Sequence, residues 1–290
     1  MGGHDPRYPY VEAHVLAQDA DEAGALFFEL GAQGVELRDD TTLLRAQEGT
    51  TTIIASFDHP DRAEQALAQL PAAWGPRLGE VVGDAWRDEW KKHFEPFAVC
   101  PGIVIRPPWC AYDRGPGERV IVLEPGRAFG TGLHETTRLV AGALAQRADR
   151  VRGATVLDVG CGSGILALIA LELGAAAVRA IDVDPEAVAV ARENAERNGR
   201  AKELRADGAC IDDVREPFGV VLANLEAKTL VEVAPALTAC VGKGGWLVLS
   251  GVLGSSAAAS PWSEVRAAYE GLHVEEVLEE GEWLAAVLRA

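Results

Sequence analysis

The residues best suited to hold a small ligand lie in Asp158-Val-Gly-Cys-Gly-Ser-Gly164 and at three polar positions that follow it. The apolar run Thr155 to Val159 reads as a buried strand, and Ile165 to Leu173 carries a helical apolar pattern. Between them, Gly160, Gly162 and Gly164 make a tight turn. Glycines let a ligand approach backbone closely, and unpaired N–H groups at a helix start attract negative charge. A second strand, Val178 to Asp182, ends in an acid about twenty residues downstream, the spacing expected of a carboxylate that grips ribose hydroxyls. Asp207 stands where the next strand should stop, and it either reaches an adenine amino group or closes a turn. The run Phe218 to Asn224 is a further strand. Its last residue lies at the carboxyl end, the side on which open α/β sheets bind ligands. The Asn224 carboxamide can accept hydrogen bonds from an amine without carrying charge.

The glycine spacing narrows the ligand. A dinucleotide fingerprint is Gly-x-Gly-x-x-Gly. Here the third glycine comes one place early, and Ile165 holds the site where Gly or Ala belongs. An acid, Asp158, also precedes the first glycine by two residues. Asp-x-Gly-x-Gly-x-Gly resembles the first motif of the Rossmann-like methyltransferases. That resemblance implies S-adenosylmethionine as cofactor, with the glycine turn beside its methionine moiety and Asp182 on its ribose. Asp158, Gly160, Gly162, Gly164, Asp182, Asp207 and Asn224 are then the expected cofactor contacts on the sheet.

The elements that must position these residues divide the chain into three expected parts. Residues 1–82 read as β-α-β-β-α with a final strand in Arg77 to Val82, a ferredoxin-like unit. Its strands are Tyr10 to Leu16, Val35 to Arg38 and Thr51 to Phe57. Its helices are Asp21 to Leu30, capped by Asp19 or Asp21, and Pro60 to Leu70. Residues 83–98 read as a linker helix, in which Trp86, Trp90, Phe94 and Phe97 recur at helical spacing. These aromatics either pin the helix onto one domain or present a surface to a partner peptide. Residues 99–290 form the ligand-binding domain. Val99 to Arg106 and Arg119 to Leu123 read as its first strands, Thr229 to Ala239 as a helix and Gly242 to Gly245 as a turn. Trp246 to Ser250 follows as the fifth strand, and Val274 to Leu278 with Glu282 to Leu288 as a closing antiparallel pair.

Ahead of the glycine turn lies Glu124-Pro-Gly-Arg-Ala-Phe-Gly-Thr-Gly-Leu-His-Glu-Thr-Thr137, too rich in glycine for regular structure before Glu135. A polar, glycine-containing loop in this position can fold over a ligand. A sulfonium tolerates hydroxyls and aromatic faces beside it. Phe129, Gly130 and Thr131 of this loop are counted among the expected cofactor contacts. His134 is more readily a structural hydrogen-bonding group than a catalyst.

Composition bounds the rest. With 290 residues the chain has room for two domains of ordinary size, and no apolar run reaches membrane-spanning length. No basic-then-apolar signal sequence is present at the N-terminus, so a cytoplasmic location is expected. The five cysteines are scattered without a Cys-x-x-Cys pair, which indicates neither a zinc site nor a disulfide framework. Cys161 invites a redox role, but a small residue is needed at that turn and no base lies beside it. A net charge of −17 argues against a direct grip on nucleic-acid phosphates. It suits a basic protein partner, or it simply keeps the protein soluble.

With these residues assembled, nearly the whole chain resembles the PrmA family, methyltransferases of the large-subunit ribosomal protein L11. The most distinctive part is Phe129-Gly-Thr-Gly-Leu-His-Glu-Thr-Thr137. Asp158 to Gly164, Ile181-Asp-Val-Asp-Pro185, Glu193-Asn-Ala-Glu-Arg-Asn-Gly199 and Ala223-Asn-Leu225 also match. The resemblance implies a class I methyltransferase domain with a mostly parallel seven-stranded sheet and a small N-terminal α+β ferredoxin-like domain that presents the substrate. It implies cofactor contacts from Thr137, Gly160, Asp182 and Asn224, with Asn224 as the catalytic residue. It also implies methylation of lysines and an N-terminal α-amine. The chain departs from the family at Glu124, where the family often has Asp, and at Glu226 after Asn224-Leu225, where a nonacidic residue is expected; an acid at the second position could attract the substrate ammonium or alter its choice. Another protein or small-molecule substrate, a noncatalytic cofactor-binding module and a nicotinamide-dependent dehydrogenase are the rival readings.

Overall fold

The computed structural model describes residues 7–16, 19–38, 49–82, 94–124, 130–254 and 260–290. The chain divides into two compact units, Met1–Phe94 and Glu95–Ala290.

In the first unit, β1 (Arg7–Leu16), α1 (Ala20–Glu29), β2 (Gly34–Arg38), β3 (Thr50–Ser56), α2 (Pro60–Leu67) and β4 (Arg77–Val82) follow one another in the expected order. The sheet runs β2-β3-β1-β4 with every pair antiparallel. Alternation sets its inner face: Val11, Ala13 and Val15 of β1 and Ile53 and Ala55 of β3 are buried with Phe27 of α1 and Ala63 and Ala66 of α2. This is the ferredoxin-like unit. Asp19 stands at the N-cap of α1 but makes no side-chain capping bond. His59 caps α2, its Nδ1 accepting from the Asp61 N–H.

The linker helix expected over residues 83–98 largely falls outside the described residues, together with Trp86 and Trp90. Its expected end is corrected. Phe97–Cys100 is a strand, β5, because Pro96 has no N–H to donate and disfavours helical backbone at Glu95. The single strand expected over Val99 to Arg106 is also two: β5 turns at Pro101-Gly102 into β6 (Ile103–Arg106). β6 pairs in parallel with β7 (Arg119–Val122).

The second unit continues with α3 (Glu135–Gln146), α4 (Ala148–Val151), β8 (Thr155–Val159), α5 (Ile165–Glu172), β9 (Ala177–Ile181), α6 (Pro185–Arg197), β10 (Leu204–Asp207) and β11 (Phe218–Asn224). Then come α7 (Ala227–Glu232), α8 (Ala234–Cys240), β12 (Val241–Leu253), α9 (Trp262–Ala268), β13 (His273–Glu280) and β14 (Trp283–Arg289). The helix expected over Thr229 to Ala239 is broken at Val233, because Pro235 lacks the N–H that continuation needs. The glycine run 242–245, expected as a turn, belongs to β12. Pairing with β11 skips from Phe218↔Val241 to Val220↔Trp246, so the extra residues bulge out.

Seven strands lie in the order β10-β9-β8-β11-β12-β14-β13. The first five are parallel, and β14 runs antiparallel between β12 and β13. Both faces are covered, as a parallel sheet requires. Val156, Val178, Val220, Leu222 and Val248 pack on one side with α3 and α5. Leu157, Val159, Val221, Leu247 and Leu249 pack on the other with α7, α8 and α9. The chain steps outward from β8 through β9 to β10 and then crosses to β11. The order therefore reverses between β8 and β11, and a crevice opens there at the carboxyl ends.

Candidate active site

A cavity of about 570 Å³ occupies that crevice. Its walls come in sequence blocks: Val159, Gly160 and Gly162 after β8, then Ile181, Asp182 and Val183 after β9. Ala209 to Ile211 follow β10, and Asn224, Leu225 and Glu226 end β11. His134 and Thr136 enter from the start of α3, Gly251 from β12 and Trp283 from β14.

The glycine turn has a specific local cause. Gly160, Gly162 and Gly164 all have φ between 52° and 77°, the left-handed region that other residues avoid. Gly164 is the N-cap of α5 and has no side chain with which to cap it. Asp158 supplies the missing acceptor from the strand, its Oδ2 accepting from the Ala167 N–H at 3.1 Å. Asp158 is 1% exposed and sits behind the cavity, not on its wall. Burial pushes its carboxyl up to about 7, the Ala167 N–H bond pulls against that rise, and the Asp182 charge adds to it. The same burial, with the Asp158 and Asp182 charges, pushes the Cys161 thiol far up, so it is a packed neutral group and no nucleophile at neutral pH.

Asp182 is on the wall, and its carboxylate braces two backbone segments. Oδ2 accepts from the Gly162 N–H at 2.9 Å and Oδ1 from the Asp184 N–H at 3.0 Å. Each oxygen keeps a lone pair for a ligand hydroxyl. Asp207 is placed differently from the adenine-contact reading. Its carboxylate is held bidentately by Arg179 at 3.1 and 3.2 Å, approached by Arg205 and bonded by the Ala209 N–H. Burial alone would raise this carboxyl. The Arg179 and Ala209 bonds and the two guanidinium charges outweigh burial and hold it below its ordinary value. Asp207 closes the turn after β10, and the backbone it shapes, Ala209 to Ile211, forms the wall.

Of the loop residues, Phe129 lies outside the described residues. Gly130 is held to the glycine turn by the Ser163 hydroxyl, which donates to its carbonyl at 2.6 Å. Neither Gly130 nor Thr131 lines the cavity. Thr136 and Thr137 are both buried, at 2% and 1% exposure, and of the two it is Thr136 that lines the cavity. The Thr136 hydroxyl accepts from Asn224 Nδ2 at 3.2 Å and lies 2.9 Å from His134 Nδ1. His134 Nδ1 also accepts from the Thr136 N–H, which caps α3. The imidazole stands edge-on to Trp283, with centroids 5.0 Å apart. His134 is thus a structural hydrogen-bonding group that orients Thr136. Asn224, held through its nitrogen, leaves its carboxamide oxygen available to a substrate donor.

Thr136, Trp283 and Gly251 are among the wall residues that the sequence reading did not single out, as are Val183, Ile211 and Thr229. Gly251 carried a usable signal, an isolated glycine at the end of a strand, which marks close backbone approach. Its φ is 87°, and a Cβ there would fall 2.7 Å from the Leu225 carbonyl carbon and 3.1 Å from its nitrogen. It lets the corner after Asn224 tuck against β12, where the Leu225 N–H donates to the Ser250 carbonyl at 3.1 Å. Among the described residues there is no group of acids, histidines and cysteines that could hold a metal ion.

A parallel five-strand core closed by an inverted hairpin, with a glycine turn after its first strand and an acid after its second, defines a class I S-adenosylmethionine-dependent methyltransferase fold. A family model described as "Ribosomal protein L11 methyltransferase (PrmA)" matches residues 7–290, and the chain belongs to that family. A ribosomal protein L11 methyltransferase from Sorangium cellulosum is 52% identical over 87% of this chain and 81% of its own length. One from Geobacter metallireducens is 37% identical over 99% of both. Among solved structures, a ribosomal protein L11 methylase from Lactobacillus delbrueckii subsp. bulgaricus matches with a TM-score of 0.60 and 29% identity. That match covers 67% of this chain and 98% of that one.

Proposed function

We propose that this chain methylates amino groups of ribosomal protein L11, lysine side chains and the N-terminal α-amine, using S-adenosylmethionine. The observation that carries the reading is Asn224. It stands at the switch-point cavity, fixed through its nitrogen by Thr136, with its carboxamide oxygen free to accept from an amine. The cavity suits the cofactor: a glycine turn that passes a ligand against backbone, a carboxylate at Asp182 with spare lone pairs, and the apolar wall residues Ile181, Val183 and Ile211 to take a flat base. Residues 1–82 serve as the substrate-recognition unit, and the stretch after residue 82 links it to the catalytic unit, Glu95–Ala290. The setting is the cytoplasm; among the described residues no helix is long and apolar enough to cross a membrane.

When bound, S-adenosylmethionine supplies a methyl group on a positively charged sulfur. The glycine turn and Asp182 hold and orient it. Asn224 Oδ1 accepts an N–H of the incoming amine and fixes the direction of its lone pair. A lysine amine has a solution pKa near ~10.4, so entry must strip water and favour the neutral form. Glu226, exposed at the mouth beside Asn224, draws the ammonium in before it is desolvated. Solvent receives the proton; His134 Nδ1 is occupied by Thr136. Positioning supplies most of the rate.

The test is labelled-methyl transfer to isolated L11, read by intact mass. The reading expects mass increments of whole methyl groups that require active protein. An unmodified L11 beside a competent cofactor-binding protein would move the assignment to another amine substrate.

A further inference from the structure

Glu193-Asn-Ala-Glu-Arg-Asn-Gly199 is distinctive in sequence, yet none of it lines the cavity. Asn194 is completely buried on α6, and its Nδ2 donates to the Ser163 carbonyl, inside the glycine turn, at 3.0 Å. Arg197 donates to Asn194 Oδ1 at 2.6 Å and to Glu124 at 2.8 Å. Asn198 exchanges two 2.8 Å bonds with the Val122 backbone, as a strand partner would, extending β7. Ser163 is 2% exposed, and its hydroxyl donates to the Gly130 carbonyl. From Gly130 the chain runs directly to His134 and Thr136, and Thr136 holds Asn224.

We infer that Ser163 is a positioning residue for the transfer reaction, fixed by Asn194. Through one hydroxyl it joins the wall that carries the glycine turn to the segment that carries Thr136, so the cofactor side and the amine side of the cavity keep a common register. The inference rests on the cofactor reading above. The fit on both sides is close: a Cβ on Gly130 would lie 3.0 Å from Ser163 Oγ, and one on Gly164 would lie 3.1 Å from Ala191 Cβ of α6. Neither Gly130 nor Gly164 has room for a side chain, and the Ser163 hydroxyl is a polar contact between the turn and the described part of the loop.

Ser163→Ala tests this in the full chain, because it removes one oxygen and leaves the packing. Two readouts separate positioning from folding. In ligand-free protein, amide hydrogen exchange at residues 130–136 should quicken by about three- to tenfold, the worth of one hydrogen bond, while the amides of β8 and β11 keep their protection. By calorimetry, S-adenosylhomocysteine should bind about three- to tenfold more weakly, and kcat at saturating substrates should also fall about three- to tenfold, because the cofactor and amine sides lose their common register. Unchanged exchange at 130–136 would overturn the inference, and so would loss of protection across the whole sheet. Failure of the wild-type protein to bind S-adenosylhomocysteine would sink the cofactor reading instead, and the exchange readout would still report the coupling.

Discussion

Replacing Gly251 by Ala perturbs the active site from behind, through backbone alone. Gly251 has φ of 87°, where an L residue costs about 1–2 kcal/mol. The added methyl would meet the Leu225 carbonyl, carbon and nitrogen, all backbone atoms that no rotamer change can move aside. Forcing such an approach apart costs about 1–3 kcal/mol. The sum is roughly 2–5 kcal/mol, and a unit of this size loses about 2–4 °C of Tm per kcal/mol, so Tm should fall by roughly 4–20 °C. The strain can be relieved by moving Leu225 outward, which carries Asn224 with it. A displacement on the order of 1 Å at a reacting centre costs about a hundredfold in rate. The matched control is Gly244→Ala on the same strand. Gly244 has φ of 72° with nothing within 4 Å of a Cβ, and it does not line the cavity. Thermal unfolding and kcat/KM of the two variants should diverge: Gly244→Ala pays only the backbone term and keeps wild-type kinetics, while Gly251→Ala loses more stability and about two orders of magnitude in kcat/KM. Equal Tm and equal kcat/KM for the pair would refute the argument that Gly251 sets the Asn224 corner.

Asn224→Ala should cut kcat at least about a hundredfold while S-adenosylhomocysteine still binds within about threefold, as calorimetry beside single-turnover kinetics would show. Thr136→Val, which removes the hydroxyl that holds Asn224, should lower kcat about tenfold, whereas Thr137→Val should change it by no more than about twofold; equal effects would undo the placement of Thr136 on the wall. Asp158 is raised to about 7 in the folded chain from an ordinary 3.8, so the unfolded chain releases this proton first as pH rises. Its contribution to stability is therefore complete below pH 4 and lost through pH 7, an effect on the order of 4 kcal/mol. Asp158→Asn keeps an acceptor for the Ala167 N–H and cannot ionise. The stability difference between variant and wild type, from urea unfolding at pH 4.5 and 8, should shift in the variant's favour at the higher pH; a constant difference would contradict the raised carboxyl of buried Asp158.

What the sequence made legible was local. Strand, glycine turn, helix and the acid after β9 fall within one stretch of chain, and their roles follow from spacing. The ferredoxin-like unit was readable because alternation in β1 and β3 and the cap-like starts of its helices are local too. What escaped depends on neighbours far along the chain. Asp207 is neutralised by Arg179, 28 residues earlier, only because β9 and β10 pair in parallel. Thr136 and Thr137 differ by one step of a helix, about 100° of rotation, and only the packing of α3 chooses which faces the cavity. Pro96 and Pro235 could have corrected the linker helix and the broken helix from sequence alone, because each removes a donor that a continuous helix requires. Gly251 matters through Leu225, which approaches it only once β11 and β12 are side by side.

The central claim is that the crevice between β8 and β11 holds S-adenosylmethionine with its methyl group aimed at Asn224. Calorimetric titration of the full chain with S-adenosylhomocysteine, alongside Asp182→Ala, tests it most directly. The account predicts saturable one-to-one binding to the wild type and at least about tenfold weaker binding to the variant. Absence of binding to the wild type, or equal affinity in the two proteins, would contradict it.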